Sequence, residues 1–168
     1  MGLFSRDVLT MDDLFVHALR DIYYAENRIV KLLPGMVDKA SDPRLKQALT
    51  SHLGETENHI LRLQDVFRMY GAEVKGVDCP AFDGLIEEAD DVADEVEDRK
   101  VLDAALIAAA QAIEHYEIAR YGSLIAWAKE LAREDCAGVL EKNLAEEKAA
   151  DRKLTAMAES GVNTAAAV

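Results

Sequence analysis

The 168-residue chain sets 32 acidic against 19 basic side chains, a net charge of −13, and half of its residues are apolar. That sign of charge excludes nucleic acid and an anionic membrane as partners, since either needs a basic face, and it favours cations. No apolar run approaches the roughly 18–20 residues of a membrane span.

The opening MGLFSRDVLTMDDLF lacks the apolar stretch and the small-residue cleavage site of an export signal, so a cytoplasmic protein is expected. Cys79 and Cys136 lie far apart and form no CxxC, as ordinary thiols of a reducing compartment would. The length suits one domain, residues 1–168, with its core at about 11–159.

Thr10 with Asp13 forms a capping-box pattern that opens a first helix, Met11 to Lys39, with a kink expected at Pro34-Gly35. Ser41-Asp42-Pro43 reads as a turn: Asp42 caps a second helix, Pro43 takes its first position, and Gly71 stops it after Tyr70. Residues 72–99 form a crossover in which Phe82, Leu85, Ile86, Ala89, Val92 and Val96 keep helical spacing, so a short acidic helix is expected there. A third long helix follows from about Lys100 to Leu131, and a fourth from about Glu134 to Glu159. The tail 160–168 is small and polar and is expected to fray. Strand signals are absent. The expected fold is an all-α, ferritin-like four-helix bundle with a long crossover between its second and third long helices.

A 3-4 heptad stripe on each helix marks the face turned to the bundle core. On the first helix it runs Phe15, Leu19, Ile22, Glu26, Ile29, Leu33; on the second, Leu45, Ala48, His52, Glu55, His59, Leu63, Val66, with Thr56 on the flank. On the third it runs Ile107, Ala110, Glu114, Glu117, Tyr121, Leu124, Ala128; on the fourth, Ala137, Leu140, Leu144, Glu147, Asp151, Leu154. All four apolar faces are interrupted by acids or imidazoles, and at matching depth. Glu26 and Glu55 each lie about 18–20 Å along their helices from the turn they share, and Glu117 and Glu147 about 20 Å from theirs, at 1.5 Å per residue. The two hairpins also repeat: Glu26 to Glu55 spans 29 residues, and Glu117 to Glu147 spans 30.

One such acid is ordinarily a boundary residue paired with a cation. A converging set without compensation costs several kcal/mol per group. Arg62, Arg120 and Arg152 sit beside the stripes and can pair with only some of the acids. Two metal ions would neutralise the set, and oxygen donors with imidazoles suit iron first and manganese next. Glu55 and Glu147 are the bridging candidates, and Glu26, Glu114 and Glu117 the terminal ones. His52, His59 and Asp151 compete for the remaining positions. Tyr23 and Tyr121 are placed either to orient the carboxylates or simply to pack. His17 and His115 fall off the stripes, and no nucleophile elbow or phosphate loop is present.

The segments DIYYAE (21–26), HLGETENHILRL (52–63), DAALIAAAQAIEHYEIARYGSL (103–124) and EEKAADRKL (146–154) resemble the YciF/YciE family of bacterial stress-associated ferritin-like proteins. The resemblance covers residues 11 to 158. It implies a rubrerythrin-like bundle, a homodimer and a di-iron site, and it points to Glu26, His52, Glu55, Glu114, Glu117, Glu147 and Asp151. Unlike the wider ferritin-like pattern, the chain has no Glu-x-x-His pair: Asn58 and Ala150 stand at the third positions after Glu55 and Glu147. Three functions follow as expectations: a di-metal enzyme reducing peroxide or handling dioxygen, a metal-handling protein without turnover, or a metal-free dimeric interaction protein.

Overall fold

The computed structural model describes residues 8–168, so the expectation of no export signal rests in part on residues outside it. Four long helices form the bundle: α1 (Met11–Lys39), α2 (Pro43–Tyr70), α4 (Arg99–Glu130) and α5 (Glu134–Met157), with α3 (Pro80–Glu95) in the crossover. Among the described residues there is no strand, and no helix is long and apolar enough to cross a membrane.

The helix ends are where capping chemistry puts them. Thr10 and Asp13 make the reciprocal capping box of α1, and the Asp42 carboxylate accepts the Arg44 N–H at the start of α2. Gly71 closes α2 in the left-handed region at φ 80°, where a side chain would be strained. Asp98 caps α4 by accepting the Lys100 and Val101 N–H groups.

Neighbouring pairs are α1 with α2, α2 with α5, α5 with α4, and α4 with α1, while α3 lies on the outside of α4. The short turns at 40–42 and 131–133 make α1/α2 and α4/α5 antiparallel hairpins. The crossover then has to run the bundle's length, and two polar clamps show that it does. At one end the Tyr70 hydroxyl donates to Asp12 (2.5 Å), and Arg133 donates to the Met69 carbonyl (2.5 Å). At the other end Asp103 of α4, only 4% exposed, accepts the Ser41 N–H (2.6 Å), the Ser41 hydroxyl (2.5 Å) and the Asp42 N–H (2.9 Å). The crossover is itself pinned inward: the Tyr24 hydroxyl donates to Asp83, and Phe82 is fully buried.

The tail corrects an expectation. It does not fray: beyond Met157 the chain kinks at Gly161 and continues into a short helical turn, α6 (Asn163–Ala166). Gly161, at φ 155°, turns the chain so that Val162 is buried, and that apolar anchor is what holds the tail. Both cysteines are free and buried.

Asp103 joins the first hairpin to the second, so Asp103→Ala leaves three donors at the α1–α2 turn without their acceptor. The variant should lose about 2–3 kcal/mol of stability in urea titration. A loss within error of zero would show that the clamp is dispensable.

Candidate metal centre

Midway along the bundle the apolar layers stop. Glu26 from α1, His52 and His59 from α2, Glu114 and Glu117 from α4 and Glu147 from α5 are all buried, most of them completely. They fall into two groups that share one residue: His52, Glu114, Glu117 and Glu147 in one, Glu26, His59 and Glu147 in the other. Within each group the donor atoms lie inside 4.8 Å of one another. Glu147 joins them because its two oxygens face opposite ways: Oε1 lies 2.7 Å from His59 Nδ1, and Oε2 lies 3.7 Å from His52 Nε2. Glu26 Oε1 is 3.3 Å from His59 Nδ1, and Glu114 Oε1 is 3.2 Å from His52 Nε2.

These are close approaches without hydrogen-bond alignment. Glu26 Oε2, His52 Nε2, His59 Nδ1, Glu114 Oε2 and both oxygens of Glu117 and Glu147 are buried and have no hydrogen-bond partner. Buried polar groups are almost always satisfied, so orphaned donors of ligand type concentrated in one place fit a site for cations. The donor set fits the implied metal pair in number and kind: four carboxylates and two imidazoles.

Around this inner set lies a hydrogen-bonded frame. The His59 Nε2 nitrogen contacts Glu146 Oε2 at 2.7 Å, which leaves Nδ1 to face Glu26 and Glu147. Glu146 in turn accepts two parallel bonds from Arg62, at 2.7 and 3.0 Å. Arg62 also donates to Asn143 Oδ1 (3.0 Å), Asn143 Nδ2 donates to the Tyr121 hydroxyl (2.9 Å), and Tyr121 donates to Glu26. One guanidinium thus backs ligand-type side chains on two helices.

The arginines beside the stripes do not neutralise the interior. Arg62 pairs with Glu146 and Arg120 with Asp21, while Arg152 is exposed.

Two of the eight sequence candidates stand outside both groups. The Glu55 side chain is 43% exposed, and its Oε2 lies 3.3 Å from His52 Nδ1, beside a ligand-type residue rather than among them. Asp151 accepts from Gln111 (2.9 Å) and lies 3.3 Å from the exposed His115. The cause is the phase of the heptad. Thr56, fully buried with its hydroxyl bonded to the His52 carbonyl, takes the inner slot of α2 between His52 and His59. On α5 the fully buried Asn143 does the same, and the stripe then turns Asp151 to the flank. Of the two tyrosines, Tyr121 orients Glu26, whereas Tyr23 accepts from Gln64 and packs edge-on against Phe67.

Residues 10–167 match the family described as a domain of unknown function, DUF892. The chain belongs to this family. It is 43% identical over 155 residues to Protein YciF of Escherichia coli K12, covering 92% of this chain and 93% of that protein. The crystal structure of the E. coli stress protein YciF superposes with a TM-score of 0.89, covering 93% of this chain and 99% of that one. The structure of YcfI from Rhodopseudomonas palustris, 58% identical, also gives 0.89, covering 91% of this chain and 98% of that one. A Xanthomonas campestris protein at 18% identity, with a TM-score of 0.76 over 94% of this chain and 96% of that one, shares the fold. The DUF892 chain is thus a YciF relative with the expected all-helical architecture.

Without ions the centre must hold protons. Burial, then the neighbouring Glu147, pushes Glu114 up to about 11. Burial likewise raises Glu26, and raises Glu117 well above the carboxylate range with help from Glu147, Glu26 and Glu114. Burial opposes charge on His59, but its contacts with Glu147 and Glu26 outweigh that and raise it to about 10. Burial also works against Glu147, yet His59 and Glu114 hold it below the ordinary value.

The signs fix a pH dependence. The raised carboxylates contribute stability in full below their ordinary 4.5 and lose it as pH rises, through about 11 for Glu114. His59 does the same from 6.5 to about 10. Glu147, being lowered, acts in the opposite sense and only in acid. Melting of chelator-stripped protein should therefore show Tm falling from about pH 5 to about pH 9. Added divalent metal should reverse that slope, because it binds the deprotonated ligands and releases their protons. A metal-free Tm that rises over that interval would contradict the protonated cluster.

Proposed function

We propose that the chain holds two metal ions, iron foremost and manganese next, on Glu26, His52, His59, Glu114, Glu117 and Glu147, and that the loaded centre reduces peroxide or handles dioxygen. The observation that carries the ion pair is Glu147, buried between two donor groups with one unpartnered oxygen turned to each. Charge supports it: four carboxylates balance two divalent cations and leave both imidazoles neutral, as ligands must be. The oxygen-rich set with imidazole suits iron or manganese rather than thiophilic metals.

Bound at such a centre, the ions would supply Lewis acidity and the electrons an oxidant takes up. The chain's own part is positional. Glu146 turns the His59 ring, Tyr121 holds Glu26, and the buried Ile22, Ile29, Leu63 and Leu124 flank the donors along their helices. A stress setting is carried over from the E. coli relative, which is named a stress protein. A reducing cytoplasm suits the two free thiols.

A metal-free interaction protein would satisfy its inner acids with arginines. Here Arg62 and Arg120 serve outer acids instead, which favours the metal reading. The homodimer belongs to the same proposal. The outer face of α4 carries no charge between Asp103 and Glu114, and with Leu85, Ala89 and Val92 of α3 its alanines line a shallow seam in which Glu88 is the one charged residue. Ala108→Glu on that seam should convert a dimer to a monomer by light scattering; an unchanged mass would place the interface elsewhere.

The metal reading is tested by anaerobic titration of chelator-stripped protein with Fe(II) and Mn(II). Two ions per chain are expected. Glu147→Ala should abolish both, Glu26→Ala one, and Glu55→Ala neither, while Glu146→Gln weakens one ion by about 10–100-fold. Wild-type protein that takes up no metal would remove the proposal. Peroxide consumption above that of free iron separates an enzyme from a metal-handling protein.

A further inference from the structure

A cavity of about 100 Å³ adjoins the donor cluster, toward the α1–α2 turn. All four long helices line it, with walls that include Ile29, Leu33, Leu49 and Ile113. Two of the donor residues, His52 and Glu114, form its polar end, and both present a buried atom with no hydrogen-bond partner. The solvent-exposed part of its lining, its rim, includes Glu55 of α2 and Lys153 of α5, one charge of each sign, with Ala150 one turn before Lys153.

We propose that this cavity is a binding site for a small neutral aliphatic molecule bearing one oxygen, of the short-chain alcohol class. The aliphatic walls at Ile29, Leu33, Leu49 and Ile113 offer water no polar partner, of which it needs two to four, whereas an apolar void of about 150 Å³ takes up benzene or xenon. By that scale the cavity accommodates about four or five non-hydrogen atoms. The alkyl part lies against Ile29, Leu33 and Leu49, and the oxygen meets the His52–Glu114 end. A rim carrying both signs of charge offers no net attraction to an ion, which selects a neutral guest. The position of the oxygen rests on the metal reading; the apolar walls do not.

The test uses the full chain and two probes, xenon and 1-butanol. In chelator-stripped protein, both should give saturable methyl NMR shifts at Ile29, Leu33, Leu49 and Ile113. Ala150→Leu at the rim and Ala110→Leu in the wall should each weaken 1-butanol by about tenfold or more, while metal stoichiometry stays as in the wild type. In Co(II)-loaded protein, 1-butanol should alter the visible spectrum and xenon should not. Absence of saturable shifts with both probes overturns the site. Shifts with both probes but no change in the cobalt spectrum overturn the ligand class. Failure of cobalt to bind instead counts against the metal reading, and the metal-free arm still reports on the cavity.

Discussion

The interior of this bundle is organised around four carboxylates that, among the described residues, no arginine or lysine neutralises. Glu26, Glu114, Glu117 and Glu147 come from three helices and meet the two imidazoles of a fourth, in a layer where a bundle ordinarily places leucine. Desolvation of each charge costs several kcal/mol, and mutual repulsion adds to it. The chain can meet that cost in two ways, by protonation or by cations. The raised pKa values of Glu26, Glu114 and Glu117 describe the first, and the orphaned oxygens describe a geometry suited to the second. Both follow from one constraint: the acids cannot turn outward, because the apolar residues above and below them on each stripe fix the rotation of the helix.

Such a layer works only if four helices keep their acids level, and the clamps at the two ends secure this. Asp103 fixes the start of α4 against the α1–α2 turn, while Arg133 and Tyr70 tie the α4–α5 turn to the far end of the first hairpin. A slip of one helical turn along any axis is about 5.4 Å, more than the span of either donor group. These polar contacts set depth, which apolar packing alone specifies weakly, and they lie far from the chemistry whose geometry they hold.

The fold was almost fully legible in the sequence, since caps such as Thr10–Asp13, Asp42 and Gly71 act locally and the apolar periods are long. The centre was legible in part. On α1 and α4 the inner line follows the acids unambiguously, so Glu26, Glu114 and Glu117 fall on the buried face that the stripe marks. On α2 and α5 two phases of the 3-4 repeat fit the apolar residues equally well. The chain takes the phase that buries Thr56 and Asn143, two small polar residues whose hydrogen bonds make them acceptable inside. That choice moves Glu55 and Asp151 to the flanks. Glu146 and Asn143 gave no signal by spacing, because their role depends on contacts across the bundle.

The frame around the cluster is lopsided, and this bears on how its two halves can differ. On the His59 side both His59 and Glu26 are backed: Glu146, Asn143, Tyr121 and Arg62 form a continuous network that reaches the surface at a half-buried guanidinium. On the His52 side the polar backing of the ring among the described residues is the half-exposed Glu55, and the cavity with its aliphatic walls adjoins it. Rigid backing holds ligand atoms at fixed separation, whereas an adjoining void leaves His52 and Glu114 room to move and space for a further atom to approach. On the proposed di-metal reading the two positions would therefore be inequivalent, the His59 side held by a rigid frame and the His52 side bordered by open space.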